Sequence, residues 1–466
     1  MSSSVLGSSE RPLRVAIIGS GPSGFYAVDA LFKVEGLHVR CDVFDRLPMP
    51  YGLVRGGVAP DHQKIKNVTR VYEKTAADAR FRFFGNVKLG RDLTVEDLTG
   101  HYDQIIYAVG NEEARELGIP GEDLAGVCSA TEFVYWYNGH PDYRDREFDL
   151  SKARRVAVVG NGNVAMDVCR ILIQDPERLA STDIADYALE TLRASTVEEV
   201  ILLGRRGPAQ AAFSPKEIKE VAGLDGVDLI MGPVTMDLDP VSRQWLEGGS
   251  APKSATKTVA FLTEASQQEA TGGRRVDCRF LVSPVELTGV DGVLTGVRLQ
   301  LNSIYAADDG TPRPKGSDEH VDEEIQMIFK AIGYRGTPIP GVPFREDWGI
   351  IPNDEGRVTS EGETVVHQYV VGWAKRGPSG LIGTNSPDSK ATVEKMVEDL
   401  PGTEVGPLAE DEAEGICDLL KSRGVRYVTF AEWQKIDALE LQRGEASGQV
   451  RTKFTQVDDV LGALDS

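Results

Sequence analysis

Apolar positions near the start of the chain fall into two short runs separated by a glycine turn and a helical stripe. Residues 15–18 (Val-Ala-Ile-Ile) are continuously apolar, as a strand buried on both faces requires. Gly19-Ser20-Gly21-Pro22-Ser23-Gly24 follows at once, residues 25–32 continue at helical spacing, and a second apolar run over 39–44 ends on Asp45. Strand, glycine turn, helix, strand and acid form the order that a dinucleotide site needs. Gly19 allows the tight turn off the strand, Gly21 lets backbone approach a pyrophosphate, and Gly24 lets the helix pack close to the sheet. The helix start presents free N–H groups and the positive end of its dipole. Asp45, about 20 residues beyond Gly24, is placed to accept ribose hydroxyls.

The same pattern returns at residue 155. The run Val156-Ala157-Val158-Val159 leads into Gly160-Asn161-Gly162-Asn163-Val164-Ala165 and a helical stretch over 166–173. Alanine in the third glycine's place still permits close packing. The next strand, over 199–203, ends in Gly204-Arg205-Arg206-Gly207, with no acid where one would bind a ribose. Two guanidiniums there suit a 2′-phosphate, which an acid would repel, so the pattern predicts NADPH over NADH. The crossover is about 20 residues longer than usual, and the excess, 176–192, reads as an extra helix.

Between and after these units the pattern is less regular. A Gly/Pro-rich loop over 47–62 carries large apolar residues and must pack on something, a flavin ring being a candidate. Residues 64–79 predict an amphipathic helix, and 81–89 and 103–109 predict strands. The second of these ends in Ala108-Val109-Gly110, and a further strand over 324–334 ends in Ala331-Ile332-Gly333. One A-x-G strand end leaves the first domain and the other returns to it. The expected architecture is therefore α/β, with two Rossmann-like dinucleotide-binding domains. Residues 1–110 and 332–466 form a discontinuous FAD domain, and 111–331 form the inserted NADPH domain. Residues 236–275 turn polar and read as a surface excursion. Strand 368–371 feeds a second glycine-rich stretch, 372–385, and a helix with Ser386 as its cap. The segment from 401 reads as mixed helix and loop.

Length and composition narrow the function. At 466 residues the chain exceeds one hydrophobic core. A net charge of −21 disfavours nucleic acid and anionic membranes as partners. No apolar run approaches a membrane span, and the serine-rich start lacks a secretory signal core. Five scattered cysteines without CxxC fit a reducing, cytoplasmic setting and argue against a metal site or a dithiol redox centre.

GSGPSGF, PYGLVRGGVAPDH, FFGNV, GNGNVAMDV, GRRGP and GWAKRGPSG-IGTN stand here in the order of the adrenodoxin reductase family. The chain resembles that family and its bacterial ferredoxin–NADP(+) reductase members from about residue 15 to its end. The resemblance implies FAD on the first unit, NADPH on the second and a ferredoxin as electron acceptor. It implies FAD contacts at Ser23, Asp45, Leu53, Leu89, Trp373, Gly380, Leu381 and Ile382. It implies NADPH contacts at Arg115, Asn161, Gly162, Asn163, Val164, Arg205, Arg206, Glu217 and Gly380. His62 beside Asp167 is implied to line the active site, orienting the nicotinamide amide and ordering water. The family often has Glu where Asp45 stands, and 236–275 diverges most.

Two other functions remain open to the sequence. One is an NADPH oxidase or monooxygenase, in which reduced flavin meets oxygen or a small substrate. The other is a non-catalytic nucleotide-sensing protein, which the intact GNGN and the arginine pair disfavour. Ferredoxins are typically acidic, so a ferredoxin partner requires a local basic face on this acidic chain. Arg55, His62, Lys64, Lys66, Arg70, Lys375 and Arg376 are its candidates, with Arg55 or Arg376 equally suited to holding loops internally.

Overall fold

In the computed structural model, residues 4–231, 236–400, 404–405 and 415–466 are described. The chain divides into two compact units, Met1–Glu113 with Tyr334–Ser466, and Ala114–Gly333.

The discontinuous unit is built on a seven-stranded sheet. Its order runs Asn353–Asp354, Arg357–Ser360, Glu363–Val370, Gln104–Tyr107, Leu13–Ile18, Val39–Phe44, Phe81–Phe84. The last five are parallel, and the first two fold back antiparallel at one edge. Leu13–Ile18 is apolar on both faces because helices cover both, and its side chains divide between two core clusters. On one face Phe25, Tyr72 and Phe81 stack, with Tyr51 packed beside them and Trp433 edge-on to it.

The continuous unit carries a six-stranded, wholly parallel sheet. Its order is Val227–Met231, Arg274–Phe280, Glu199–Gly204, Arg155–Val159, Met327–Lys330, Val127–Ser129. A separate antiparallel sheet of Val282–Val290, Val293–Ala306 and Pro312–Glu324 follows directly from it.

Several expected elements are realised differently. The helix expected over 64–79 is two pieces, Gln63–Lys66 and Thr69–Ala76. Their junction runs on tight i→i+3 bonds, Val68 N–H to Ile65 O (3.3 Å) and Val71 N–H to Val68 O (2.9 Å), so the stripe persists while the α-helix does not. The extra helix over 176–192 is a 3₁₀ turn, Pro176–Arg178, and a helix, Asp186–Arg193. Thr182 interrupts them by accepting the Ile184 N–H (3.2 Å) on its hydroxyl. Residues 236–275 are not an excursion: they hold helices Pro240–Glu247 and Lys253–Ala265, which bury Ser242, Thr258 and Leu262. Small and hydroxyl side chains carry that packing, which is why the stretch reads as polar. Ser386 is no cap, because a 3₁₀ turn over Ile382–Thr384 runs into the helix and starts it at Asn385. Within the closing segment, 401–403 and 406–414 lie outside the described residues.

The C-terminal part holds the Gly/Pro-rich loop in place. Helix Phe430–Ser447 opens with a capping box of Thr429 and Glu432. Its fully buried Glu440 accepts two bonds from Arg55 (2.8 and 2.5 Å) and one from Arg451 (2.8 Å). The Arg55 guanidinium also lies over the Trp433 ring, 5.1 Å from its centroid. Burial alone would raise the Glu440 pKa, but the guanidiniums of Arg55 and Arg451 outweigh it and hold the carboxyl below the usual glutamate value. A carboxyl depressed in the folded state contributes stability above its unfolded pKa and loses it as pH falls through the folded one. Glu440→Gln leaves two buried guanidiniums short of charge, so urea unfolding at pH 7 should show a loss of about 3–5 kcal/mol. The gap from wild type should narrow as pH is lowered through the acid range. A variant as stable as wild type at pH 7 would show that the clamp contributes nothing.

Candidate functional site

Each parallel sheet opens at one point, and the same device is built there twice. In the discontinuous unit the central strand Leu13–Ile18 pairs with Val39–Phe44 on one side and Gln104–Tyr107 on the other. The chain thus leaves to opposite sides from one strand end, the position where α/β sheets bind ligands. Gly19 sits there at φ +108°, where a Cβ would collide with the Ala108 carbonyl oxygen. A Cβ on Gly24 would strike the Gly19 carbonyl in turn. The helix Pro22–Phe32 begins with Gly21 as cap and no side-chain cap bond, so its first-turn N–H groups remain available to an anion. In the continuous unit, Arg155–Val159 lies between Glu199–Gly204 and Met327–Lys330. Gly160 (φ +129°) takes Gly19's part, packed against the Ala331 carbonyl. Helix Asn163–Ile173 again starts uncapped, at Gly162, beside which a Cβ would meet open space.

Around the first opening the sequence-predicted residues converge. Asp45 accepts Ser20 N–H (2.9 Å), Ser20 hydroxyl (2.5 Å) and Leu47 N–H (3.0 Å), which fixes its carboxylate on the turn. A carboxylate has about four acceptor positions, so one is left for a ribose hydroxyl. Tyr51 N–H donates to Ser20 O (3.0 Å), and Gly52 lies against Gly21, laying the loop that carries Leu53 over the glycine turn. His62 follows on the same loop, half-buried, its N–H bonded to Ala59 O (3.0 Å). Leu89 is buried in the core beneath the sheet rather than facing outward.

The second glycine-rich stretch docks on the first helix. Gly372 packs so close to Ser23 that a Cβ there would displace the serine hydroxyl. Ser23 hydroxyl donates to Asn385 Oδ1 (3.2 Å), and Ser389 hydroxyl donates to Ser23 O (3.0 Å). Trp373 packs on Tyr334 (5.4 Å between centroids) and donates its indole N–H to Ser379 O (3.2 Å). Gly380 takes φ +81°, and beyond it Leu381 stands 66% exposed beside half-buried Ile382. Lys375 bridges Asp388 (3.2 Å), and Arg376 donates to Asn385 (2.6 Å) and Ser379. With Arg55 on Glu440, these three cations hold loops internally.

Around the second opening, Asn161 O accepts the N–H groups of Ala212 (2.9 Å) and Phe213 (2.8 Å), and Asn163 Oδ1 accepts that of Ser214 (2.8 Å). The glycine turn thereby fixes the far end of the arginine loop. Val164 packs on the unit's core, half-buried. Arg205 is exposed and Arg206 half-buried. Burial first, then the neighbouring Arg205 charge, pulls the Arg206 pKa down. Among the described residues neither guanidinium has an ion-pair partner, so two like charges sit together beside an uncapped helix start. Exposed Arg115 lies next to Gly333, to whose carbonyl its N–H donates (3.3 Å).

The continuous unit also joins two predicted residues through one the sequence reading missed. Arg170, 3% exposed, donates to Asp167 (2.7 Å) and lies 3.6 Å from the Glu217 carboxylate. The i,i+3 spacing of Asp167 and Arg170 on one helix was the available signal.

Comparison with known proteins agrees with this geometry. Residues 13–232 match the pyridine nucleotide-disulphide oxidoreductase family. The NADPH-ferredoxin reductase FprA of Mycobacterium tuberculosis (strain ATCC 25618 / H37Rv) is 44% identical over 462 residues, covering 97% of this chain and 99% of that protein. The mitochondrial NADPH:adrenodoxin oxidoreductase of Homo sapiens is 41% identical over 469 residues, with 98% and 92% covered. The structure of Mycobacterium tuberculosis FprA in complex with NADPH superposes with a TM-score of 0.91 at 42% identity, covering 98% of this chain and 100% of that one. With two glycine-turn openings and likeness over nearly its whole length, the chain belongs to the adrenodoxin-reductase-type NADPH–ferredoxin reductases.

Proposed function

We propose that the discontinuous unit binds FAD, that the continuous unit binds NADPH, and that the protein passes electrons from NADPH through the flavin to a ferredoxin. The observation that carries the cofactor assignment is the contrast between the two openings. One ends its second strand on Asp45, which suits a ribose hydroxyl; the other ends it on Arg205 and Arg206, which have no ion-pair partner among the described residues of a chain of net charge −21. An acid pairs with a hydroxyl, and an arginine pair with a 2′-phosphate.

The FAD site fits its group. The uncapped start of Pro22–Phe32 faces a pyrophosphate, the one open acceptor position of Asp45 a ribose, and exposed Leu381 with Trp373 an aromatic ring. Bound flavin accepts a hydride and releases electrons one at a time, which a nicotinamide cannot do. The chain's own contribution is placement. Ser23, Leu53 and Gly380–Ile382 border the flavin, Leu89 supports that site from the core, and Asn161–Val164 and Arg115 hold the NADPH pyrophosphate side. Arg170 holds the Asp167 and Glu217 carboxylates in place. Neither His62 of the one unit nor Asp167 of the other need accept a proton, since hydride transfer needs no general base; the role each is assigned is to orient the nicotinamide amide or order water. The purified protein should show flavin absorption that NADPH bleaches anaerobically. Cytochrome c reduction should rise sharply when an iron–sulfur protein is added; indifference to that protein would favour an oxidase instead.

Arg205→Ala with Arg206→Ala should raise the KM for NADPH tens of fold or more, at about 1.5–3 kcal/mol per charge-assisted contact, and leave NADH nearly unchanged. Steady-state rates with a small dye acceptor check this. Equal losses with both coenzymes would make the pair structural.

For the partner, Arg55, Lys375 and Arg376 are committed to loops, which leaves exposed Lys64 and Arg70, with Lys66 between them, as the basic face following the flavin loop. Low salt leaves the net repulsion between two acidic proteins unscreened, and high salt screens the local attraction. The Debye length falls from about 30 Å at 0.01 M to 3 Å at 1 M. Ferredoxin-dependent cytochrome c reduction should therefore pass through a maximum as salt rises, while dye reduction shows none. Lys64→Glu with Lys66→Glu should lower only the ferredoxin route. A flat salt response untouched by these reversals would place the docking face elsewhere.

A further inference from the structure

The arginine loop of the continuous unit, 205–214, is gripped from outside the nucleotide fold. Arg205 O accepts the side-chain N–H of Asn302 (2.9 Å), whose same amide nitrogen reaches the Ser283 hydroxyl (2.8 Å). Arg206 O accepts the Leu281 N–H (3.2 Å), and Leu281 O accepts the Asn302 N–H (2.8 Å). Leu281 stands at φ +58°, a left-handed conformation that is strained for a residue with a side chain and persists only where the surroundings impose it. It lies where Arg274–Phe280 of the parallel sheet hands over to Val282–Val290 of the antiparallel one. The strain thus sits where the two sheets join and aims one N–H at the arginine loop.

A second grip comes from the helix Pro240–Glu247. Its Ser242, fully buried, accepts on its hydroxyl a bond from Gln210 Nε2 (2.9 Å). Gln210 N–H in turn closes the loop's 3₁₀ turn on Gly207 O (3.0 Å). Ser242 is itself fixed by Asp239, which accepts its N–H (2.8 Å).

The bonds made to the loop itself engage its backbone carbonyls or Gln210, and none uses a guanidinium. Two adjacent cations repel each other and, left on a mobile loop, would splay apart. Fixing the backbone through the carbonyls sets where both side chains leave the chain and spends no guanidinium donor, so these stay available to a ligand. We propose that the antiparallel sheet and the Pro240–Glu247 helix form a two-sided clamp that preorganises Arg205 and Arg206 for the 2′-phosphate of NADPH, with Asn302 and Ser242 as its specificity-positioning residues. This rests on the assignment of that arginine pair to the 2′-phosphate.

The test uses the full-length holoenzyme with a small dye as acceptor. Asn302→Ala and Ser242→Ala are each assayed with NADPH and with NADH, and with 2′,5′-ADP as competitive inhibitor. Loss of one positioning bond should raise the KM for NADPH and the inhibition constant of 2′,5′-ADP together, by about 3- to 10-fold. The kcat with NADPH and the kcat/KM with NADH should stay within about twofold of wild type, which also reports that the variants are folded. Ser242→Thr, which retains the hydroxyl, should restore most of the loss. Placed on the Arg205→Ala, Arg206→Ala background, Asn302→Ala should have no further effect on either coenzyme, because there is nothing left to position. Equal rises with both coenzymes, or no change with either, overturns the clamp. If the double-arginine variant itself fails to discriminate the coenzymes, the 2′-phosphate assignment falls. If it discriminates and Asn302→Ala does not, only the clamp falls.

Discussion

Everything at the two openings depends on one steric condition: the first residue past each central strand must have no Cβ. Gly19 and Gly160 both stand at positive φ with the carbonyl of the neighbouring A-x-G strand end where a side chain would be. That contact lets each turn fold back tightly enough to set a helix start directly over the strand end. A larger residue would have to move either the helix or the Ala108 and Ala331 strand ends, and with them the parallel pairing on both sides. The third turn position shows how fine the constraint is. Gly24 has no room for a Cβ, because the Gly19 carbonyl fills it, whereas Ala165 is accommodated and fully buried. The second turn is wider by about a methyl group, and the sequence records it.

Charge is distributed with the same economy. The chain has 72 acidic and 51 basic residues, so a basic side chain has acidic partners in excess. Arg55, Lys330, Arg170, Lys375 and Arg376 each take one or more, and each then fixes a loop or a helix face. Arg205 and Arg206 are two adjacent cations with no ion-pair partner among the described residues. Arg206 has its pKa drawn down by burial and by Arg205, instead of raised as in the ion-paired Arg82.

How far the sequence could be read follows from the range of the interactions. The glycine turns, the central strands and the arginine pair were legible because each depends on residues within a few positions of one another. The Asp45 site was legible for the same reason, since its bonds to Ser20 and Leu47 stay within one βαβ unit. Longer-range partners were not. Nothing in the spacing of Arg55 announces Glu440, and no motif marks Asn302 as a partner of Arg205, because that bond is made to a backbone carbonyl that every residue possesses. Composition misled where packing is made by small polar residues, as with Ser242 and Thr258 in the stretch that reads as an excursion. Local rules also lost to neighbours at Ser386, whose capping chemistry was overtaken by the preceding 3₁₀ turn.

The two openings differ in what holds their polar residue before a ligand arrives, and this difference has consequences. Asp45 is locked by three short bonds on its own carboxylate, so its geometry is complete and most of its hydrogen-bonding capacity already used. Little would be gained electrostatically when a neutral hydroxyl joins it, so affinity there would rest on apolar burial, which screening does not weaken, and on the helix start, whose dipole salt does screen. The arginine pair is the reverse: its backbone is fixed and its charge unsatisfied. A phosphate arriving there removes a standing repulsion and makes several new charge-assisted bonds at once, so binding at that end is steeply electrostatic. A nucleotide held by the first kind of site remains with the protein through changes of medium. One held by the second would be bound more weakly as its charge is screened.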